Sequence, residues 1–211
     1  MKIDVYADVV CPWCYVGEKR LEKALRQRPD LDVERRWRPF QLRPEMPENG
    51  LPWREFAVGK FGGEENMKRA FSHVSAAGEP DGARFDFDRV ASAPNTVDAH
   101  RLILYAADRG KEWEMADALF RGYFAGGRDL NDAEDLAAMA VETGLDPGEV
   151  GAFLSGGVGI EGVWESQQTA ARLGITGVPF YVVEGRYAVS GGQPAEVWLR
   201  TFDAIQSEFV S

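Results

Sequence analysis

Cysteine and histidine are both scarce in this chain, with two of each among 211 residues. Cys11 and Cys14 alone cannot form the framework of bridges that ties distant segments together in a disulfide-built protein. Closing so short a loop removes little entropy from the unfolded chain, so a structural bridge is a weak reading. A closed zinc site wants four ligands, yet there is no second cysteine pair, and His73 and His100 lie far away in sequence. Haem attachment needs a histidine directly after the second cysteine, where Tyr15 stands. Positive charge is in short supply as well. Against 34 Asp and Glu there are 24 Lys and Arg, a net charge of −10. That balance argues against a phosphate-binding surface and hence against a nucleic-acid partner. No apolar run approaches the roughly 18–20 residues of a membrane span. Asp4 and Asp8 interrupt the start, where a secretory leader would be apolar. The expectation is a cytoplasmic protein with no membrane partner and no metal.

What is present reads as an ordinary globular chain, 45% hydrophobic and 27% charged. Residues 2–9 alternate, Ile3, Val5 and Ala7 against Asp4, Tyr6 and Asp8, which predicts a strand. After Cys14 the spacing turns helical through Val16, Leu21, Ala24 and Leu25, until Pro29 ends it. Residues 31–42 alternate again, and a strand–helix–strand run of this kind is a parallel β-α-β unit. Helical spacing then dominates. The expected helices are 52–61, 64–77, one capped by Asn95 that runs to Arg109, 111–125, 132–143 capped by Asn131, 147–154 and 158–173. Phe180–Val183 and Tyr187–Val189 flank a tight turn at 184–186 and predict an antiparallel hairpin. A last helix opens after Gly191-Gly192-Gln193, with Pro194 in its first turn. The order β-α-β, helices, β-β-α predicts an α/β protein with a thioredoxin-like fold and a large all-helical insertion. Residues 1–44 and 175–211 would form the thioredoxin-like domain, and 45–174 the inserted helical subdomain.

The cysteine pair falls where the first strand meets the first helix. A thiol attacks only as thiolate. The unpaired N–H groups and dipole of a helix start favour negative charge on Cys11 without any charged neighbour. Cys14, one turn on, is placed to resolve a mixed disulfide formed at Cys11. Pro12 suits the first turn, where a missing N–H costs nothing, and Trp13 offers a flat apolar surface for docking. The plain alternative is an inert buried pair, against which a helix-start position counts. Pro179, read simply, is punctuation before a strand.

These features occur together with a wider set. Cys11-Pro12-Trp13-Cys14-Tyr15-Val16-Gly17, Phe40-Gln41-Leu42, Pro94-Asn95-Thr96 through Ala99-His100-Arg101, Gly177-Val178-Pro179-Phe180 and Ser190-Gly191-Gly192-Gln193 resemble the FrnE-like branch of the DsbA family over nearly the whole chain. The resemblance implies disulfide oxidoreductase or isomerase activity, with Cys11 as nucleophile and Cys14 as resolving thiol. It also implies a cis bond at Val178–Pro179, with Val178 and Pro179 shaping the groove for a protein or small-molecule disulfide. Where thioredoxin-like enzymes often carry a buried carboxylate, six residues before the nucleophile, this chain has Val5. Any base for Cys14 is then water or another group, such as Asp8. Trp13 replaces the histidine of the DsbA motif, so strong oxidising behaviour is not implied. The kappa-class glutathione transferases and 2-hydroxychromene-2-carboxylate isomerases are similar in layout but use serine at the first helix. On that alternative, Asn95 and His100 would line a small-molecule pocket, and Gly191 and Gly192 would receive a carboxylate such as that of glutathione. Glutathione is then the one co-substrate to consider. A binding module without catalysis is the third reading, and unreactive cysteines would favour it.

Overall fold

A computed structural model describes residues 1–210, with side chains to Glu208. Its central sheet has four strands in the order β2-β1-β5-β6. Strand β1 (Lys2–Ala7) runs parallel to β2 (Glu34–Pro39) and antiparallel to β5 (Phe180–Val183), which returns as β6 (Tyr187–Ser190). The register pairs Val5 with Trp37 on one side and with Tyr181 on the other. Two consecutive positive φ angles, 52° at Glu184 and 68° at Gly185, make the tight β5–β6 turn. The Glu184 carboxylate repays that strained position by accepting the Lys2 backbone N–H at 2.7 Å.

The central strand is covered on both faces. Ile3, Val5 and Ala7 belong to the main core with Leu21 and Trp198, while Tyr6 packs with Phe40, Ala170 and Ile175. The polar side expected for Tyr6 and Asp8 is therefore buried too (3% and 1% exposed), because helices flank a sheet that carries a parallel pair. Helix α1 (Pro12–Arg26) buries Cys14, Val16, Leu21 and Ala24 along one stripe. Helix α9 (Ala195–Val210) adds Trp198, Phe202 and Ile205 to the same core.

Between β2 and β5 lie α2 (Trp53–Phe61), α3 (Glu64–Gly78), α4 (Val97–Ala107), α5 (Glu112–Arg121), α6 (Ala133–Glu142), α7 (Pro147–Leu154) and α8 (Ile160–Arg172). Their apolar residues, among them Leu102, Leu119, Phe120 and Leu136, are continuous with the core of the sheet. Two helix starts differ from the sequence expectation. Thr96 rather than Asn95 immediately precedes α4, although the Asn95 side chain does accept the Val97 N–H at 3.1 Å. Asp132 rather than Asn131 caps α6, accepting from Glu134 N–H at 2.7 Å. The Asn131 amide instead ties down the loop before α4 by accepting the Asn95 N–H at 3.0 Å. A two-stranded ribbon, β3 (Leu51–Pro52) with β4 (Ser92–Ala93), has no counterpart in the sequence pattern, being too short to alternate. No helix among the described residues is long and apolar enough to cross a membrane.

Candidate active site

The site forms where β1 ends. The Cys11 N–H closes a turn on the Asp8 carbonyl at 3.0 Å, and the chain then enters α1 with Pro12 in the first turn. Cys11 is the N-cap residue in extended conformation, and no acidic residue occupies the first turn to oppose negative charge there. Both cysteines are free thiols. The Cys11 thiol donates to the Val178 carbonyl oxygen at 3.6 Å, and the Val178–Pro179 bond is cis. Val178 is half-buried and Pro179 buried, while Pro12 and Trp13 are half-buried on the other side of the sulfur. The Trp13 ring meets the exposed His73 edge-on, at 5.5 Å between centroids. No sequence spacing links His73 to the cysteines, since only the packing of α3 on α1 brings it here.

Cys14 is 2% exposed. Burial pushes its thiol well above the ordinary cysteine range, and the hydrogen bond and charge of Cys11 push the same way, against a hydrogen bond with the Asp8 backbone. Both cysteines are buried, and the asymmetry is one of position, Cys11 at the helix start and Cys14 inside its first turn. Close approach of backbones makes this possible. A Cβ at Gly17 would overlap the Tyr181 hydroxyl and come within 3.1 Å of Pro179 Cγ, and one at Gly192 would come within 3.1 Å of the Trp13 carbonyl oxygen. Arg20 locks the arrangement, its guanidinium donating to the Gly192 and Ala77 carbonyls and to Asp81.

The structure does not gather Asn95 and His100 into an open pocket. Asn95 is spent on the loop, donating to the Met46 carbonyl at 2.8 Å. His100 is fully buried (0% exposed), accepting the Trp37 indole N–H on Nδ1 at 3.1 Å, with Nε2 3.3 Å from Asp8 Oδ1. It presents no atom to a bound ligand. Gly192 packs beneath α1, and its carbonyl is taken by Arg20. Beside Pro12 and Asp8 a mostly apolar cavity of about 60 Å³ runs between the sheet and the helices, with Trp53, Phe56, Thr96 and Tyr123 in its wall. Among the described residues no group of acidic, histidine and cysteine side chains could hold a metal ion.

Comparison with known proteins places this geometry. A probable DsbA oxidoreductase from Streptomyces coelicolor superposes with a TM-score of 0.91 at 37% identity, over 99% of this chain and 91% of that one. A 2-hydroxychromene-2-carboxylate isomerase shares the fold over the full length of both chains, with a TM-score of 0.74 at 19% identity. In sequence, the uncharacterized protein YwbO of Bacillus subtilis (strain 168) is 26% identical over 201 residues, 93% of this chain and 92% of that protein. The family model of the DSBA-like thioredoxin domain matches residues 2–202, and the chain belongs to that family.

Proposed function

We propose that this chain is a thiol–disulfide oxidoreductase of the FrnE-like type, in which Cys11 attacks and Cys14 resolves. The observation that carries the reading is the asymmetry of the pair. Both thiols are buried, but Cys11 caps a helix and touches the Val178 carbonyl, whereas Cys14 lies inside the first turn and is held as a thiol. A disulfide entering between Trp13 and the Val178–Pro179 segment meets Cys11 first. The Cys11 thiolate bonds to one substrate sulfur and the other leaves as a thiolate. Cys14 then attacks Cys11, releasing the substrate as a dithiol and leaving the enzyme oxidised. Run backwards, the same steps oxidise a substrate dithiol. Pro12 and Trp13 provide apolar contact for the incoming chain, and the Val178 carbonyl, freed when Cys11 becomes bonded, faces the substrate backbone. The substrates are protein or small-molecule disulfides in the cytoplasm, with glutathione a co-substrate to recycle the pair. No metal or nucleotide takes part.

Cys14→Ser tests the assignment. It should accumulate a mixed disulfide at Cys11 that mass spectrometry detects on incubation with a disulfide protein, while Cys11→Ser should accumulate none. Equal behaviour of the two variants would refute the roles given to them.

A further inference from the structure

The cavity of about 60 Å³ lies beside the nucleophile, since Val10 and Pro12, the residues on either side of Cys11, both line it. Most of its wall is apolar, and Asp8, Thr96 and Tyr123 in that wall are buried. The exposed residues of the lining are Arg43 and Lys60, both positive. The side of the cavity that meets water therefore has the opposite sign to the chain as a whole, whose net charge is −10. Pockets that enclose a whole small molecule run to roughly 300–1,000 Å³. A space of this size takes a single side chain.

Lys60 is held there by its own helix. Its Nζ stands 5.8 Å from the centroid of the Phe56 ring and 5.7 Å from that of Phe61, and both rings belong to the cavity wall. Among the described residues no carboxylate pairs with this amine, whereas Arg43 has Glu45 at 3.4 Å. Although Lys60 is an exposed residue, burial by the protein around its amine pulls it below the ordinary lysine range, and the charges that reach it are those of Cys11, Arg43 and Asp8. An ammonium partly stripped of water and lacking a counter-ion gains more from an arriving carboxylate than a fully solvated lysine does. An apolar space and an unpaired cation thus adjoin the same sulfur.

Resting on the oxidoreductase reading above, we propose that Lys60 sets the specificity of exchange by selecting disulfides in acidic peptide segments. One apolar side chain next to the substrate cysteine enters the cavity beside Pro12. A neighbouring carboxylate pairs with Lys60, and Arg43 adds to the attraction. The two contacts hold the substrate sulfur at Cys11 while the Cys11 thiolate bonds to it and the partner sulfur leaves with the electron pair. Lys60 takes no proton and forms no covalent bond in that step. It acts through binding alone, so altering it changes which peptides are chosen.

The test uses the reduced protein and the symmetric peptides Glu-Leu-Cys-Leu-Glu, Gln-Leu-Cys-Leu-Gln and Lys-Leu-Cys-Leu-Lys, capped at both ends and activated as pyridyl disulfides. Their symmetry presents the same neighbours in either chain direction. Attack by Cys11 leaves the peptide on the enzyme and releases pyridinethione, whose absorbance gives the rate. The wild type should prefer the acidic peptide to the amide one by about 2–5-fold, the worth of one partly exposed ion pair, and salt should erode the preference. Lys60→Met should bring that ratio to about one, and Lys60→Glu should turn the preference towards the basic peptide. Glycine in place of both leucines should slow the acidic peptide about tenfold, because the cavity is left unfilled. The inference is overturned, with exchange left intact, by a preference that persists in Lys60→Met or is absent from the wild type. Equal slowing of all the peptides in Lys60→Met, or a glycine peptide as fast as the leucine one, overturns it too. Failure of the wild type to release pyridinethione from any peptide overturns the exchange reading itself.

Discussion

The Cys11 thiol and the Val178 carbonyl oxygen meet at 3.6 Å, joining the start of α1 to the residue before the cis proline. That contact brings together segments from opposite ends of the chain. It also aims the nucleophile at the edge where β5 begins. Helix α1 meets the β5 end of the sheet only because position 17 has no side chain.

Gly17→Ala should therefore injure site and stability together. The added methyl group meets Tyr181, which is fully buried and cannot swing away, and Pro179 behind it. Overpacking of this kind costs about 1–3 kcal/mol. Chemical denaturation should show a lower midpoint, and disulfide exchange should slow because the Pro179 wall is displaced from Cys11. An unchanged midpoint would mean that α1 moves freely on the sheet.

The two thiols should react in a fixed order. Burial keeps Cys14 protonated through neutral pH, so iodoacetamide at neutral pH should label Cys11 well ahead of Cys14. Raising the pH should speed Cys14 labelling, because its thiolate appears only above the ordinary cysteine range. Peptide mapping of the labelled protein decides. Preferential labelling of Cys14 would reverse the roles of the pair.

Arg20 should act as a clamp between α1, the helical segment and the turn before α9. Its guanidinium donates to Asp81 Oδ2 at 2.9 Å, to the Gly192 carbonyl at 2.6 Å and to the Ala77 carbonyl at 2.8 Å. Arg20→Ala should lower stability by about 1.5–3 kcal/mol, the range for hydrogen bonds to a charged group. Desolvation raises the Asp81 carboxyl, but Lys23 and Arg20 outweigh it and hold the group below the usual carboxylate range. The stability this provides is present above an unfolded value of about 3.9 and is lost as pH falls through the lower folded value. The acid limb of the stability curve should be shallower in Arg20→Ala. Thermal melts across acid pH check both parts.

Much of this was legible in the sequence, for identifiable reasons. Strand β1 shows its alternation, α1 its apolar stripe, and the CxxC position follows from the switch between the two periods. The hairpin is announced by the residues of its turn. Less visible were the caps of α4 and α6, where adjacent polar residues compete and only the backbone angles decide between Asn95 and Thr96, or Asn131 and Asp132. The His100–Asp8 contact joins residues far apart in sequence, so no spacing reveals it. The one local signal was Asp8 itself, a carboxylate inside the run Val5-Tyr6-Ala7-Asp8-Val9-Val10. Asn95 and His100 were pocket residues only on the alternative drawn from the glutathione transferases and isomerases. Hydrogen bonds tie Asn95 to the loop, and burial places His100 in the interior.

The measurement that bears most directly on the account is disulfide exchange in Cys11→Ser, read as insulin reduction and as refolding of a scrambled disulfide protein. A protein that shares the fold is named a 2-hydroxychromene-2-carboxylate isomerase, so chromene isomerisation and glutathione conjugation are assayed alongside. The account predicts that Cys11→Ser abolishes exchange, that Asn95→Ala barely changes it, and that neither small-molecule reaction proceeds. Conjugation or isomerisation by the wild type that persists at full rate in Cys11→Ser would contradict it.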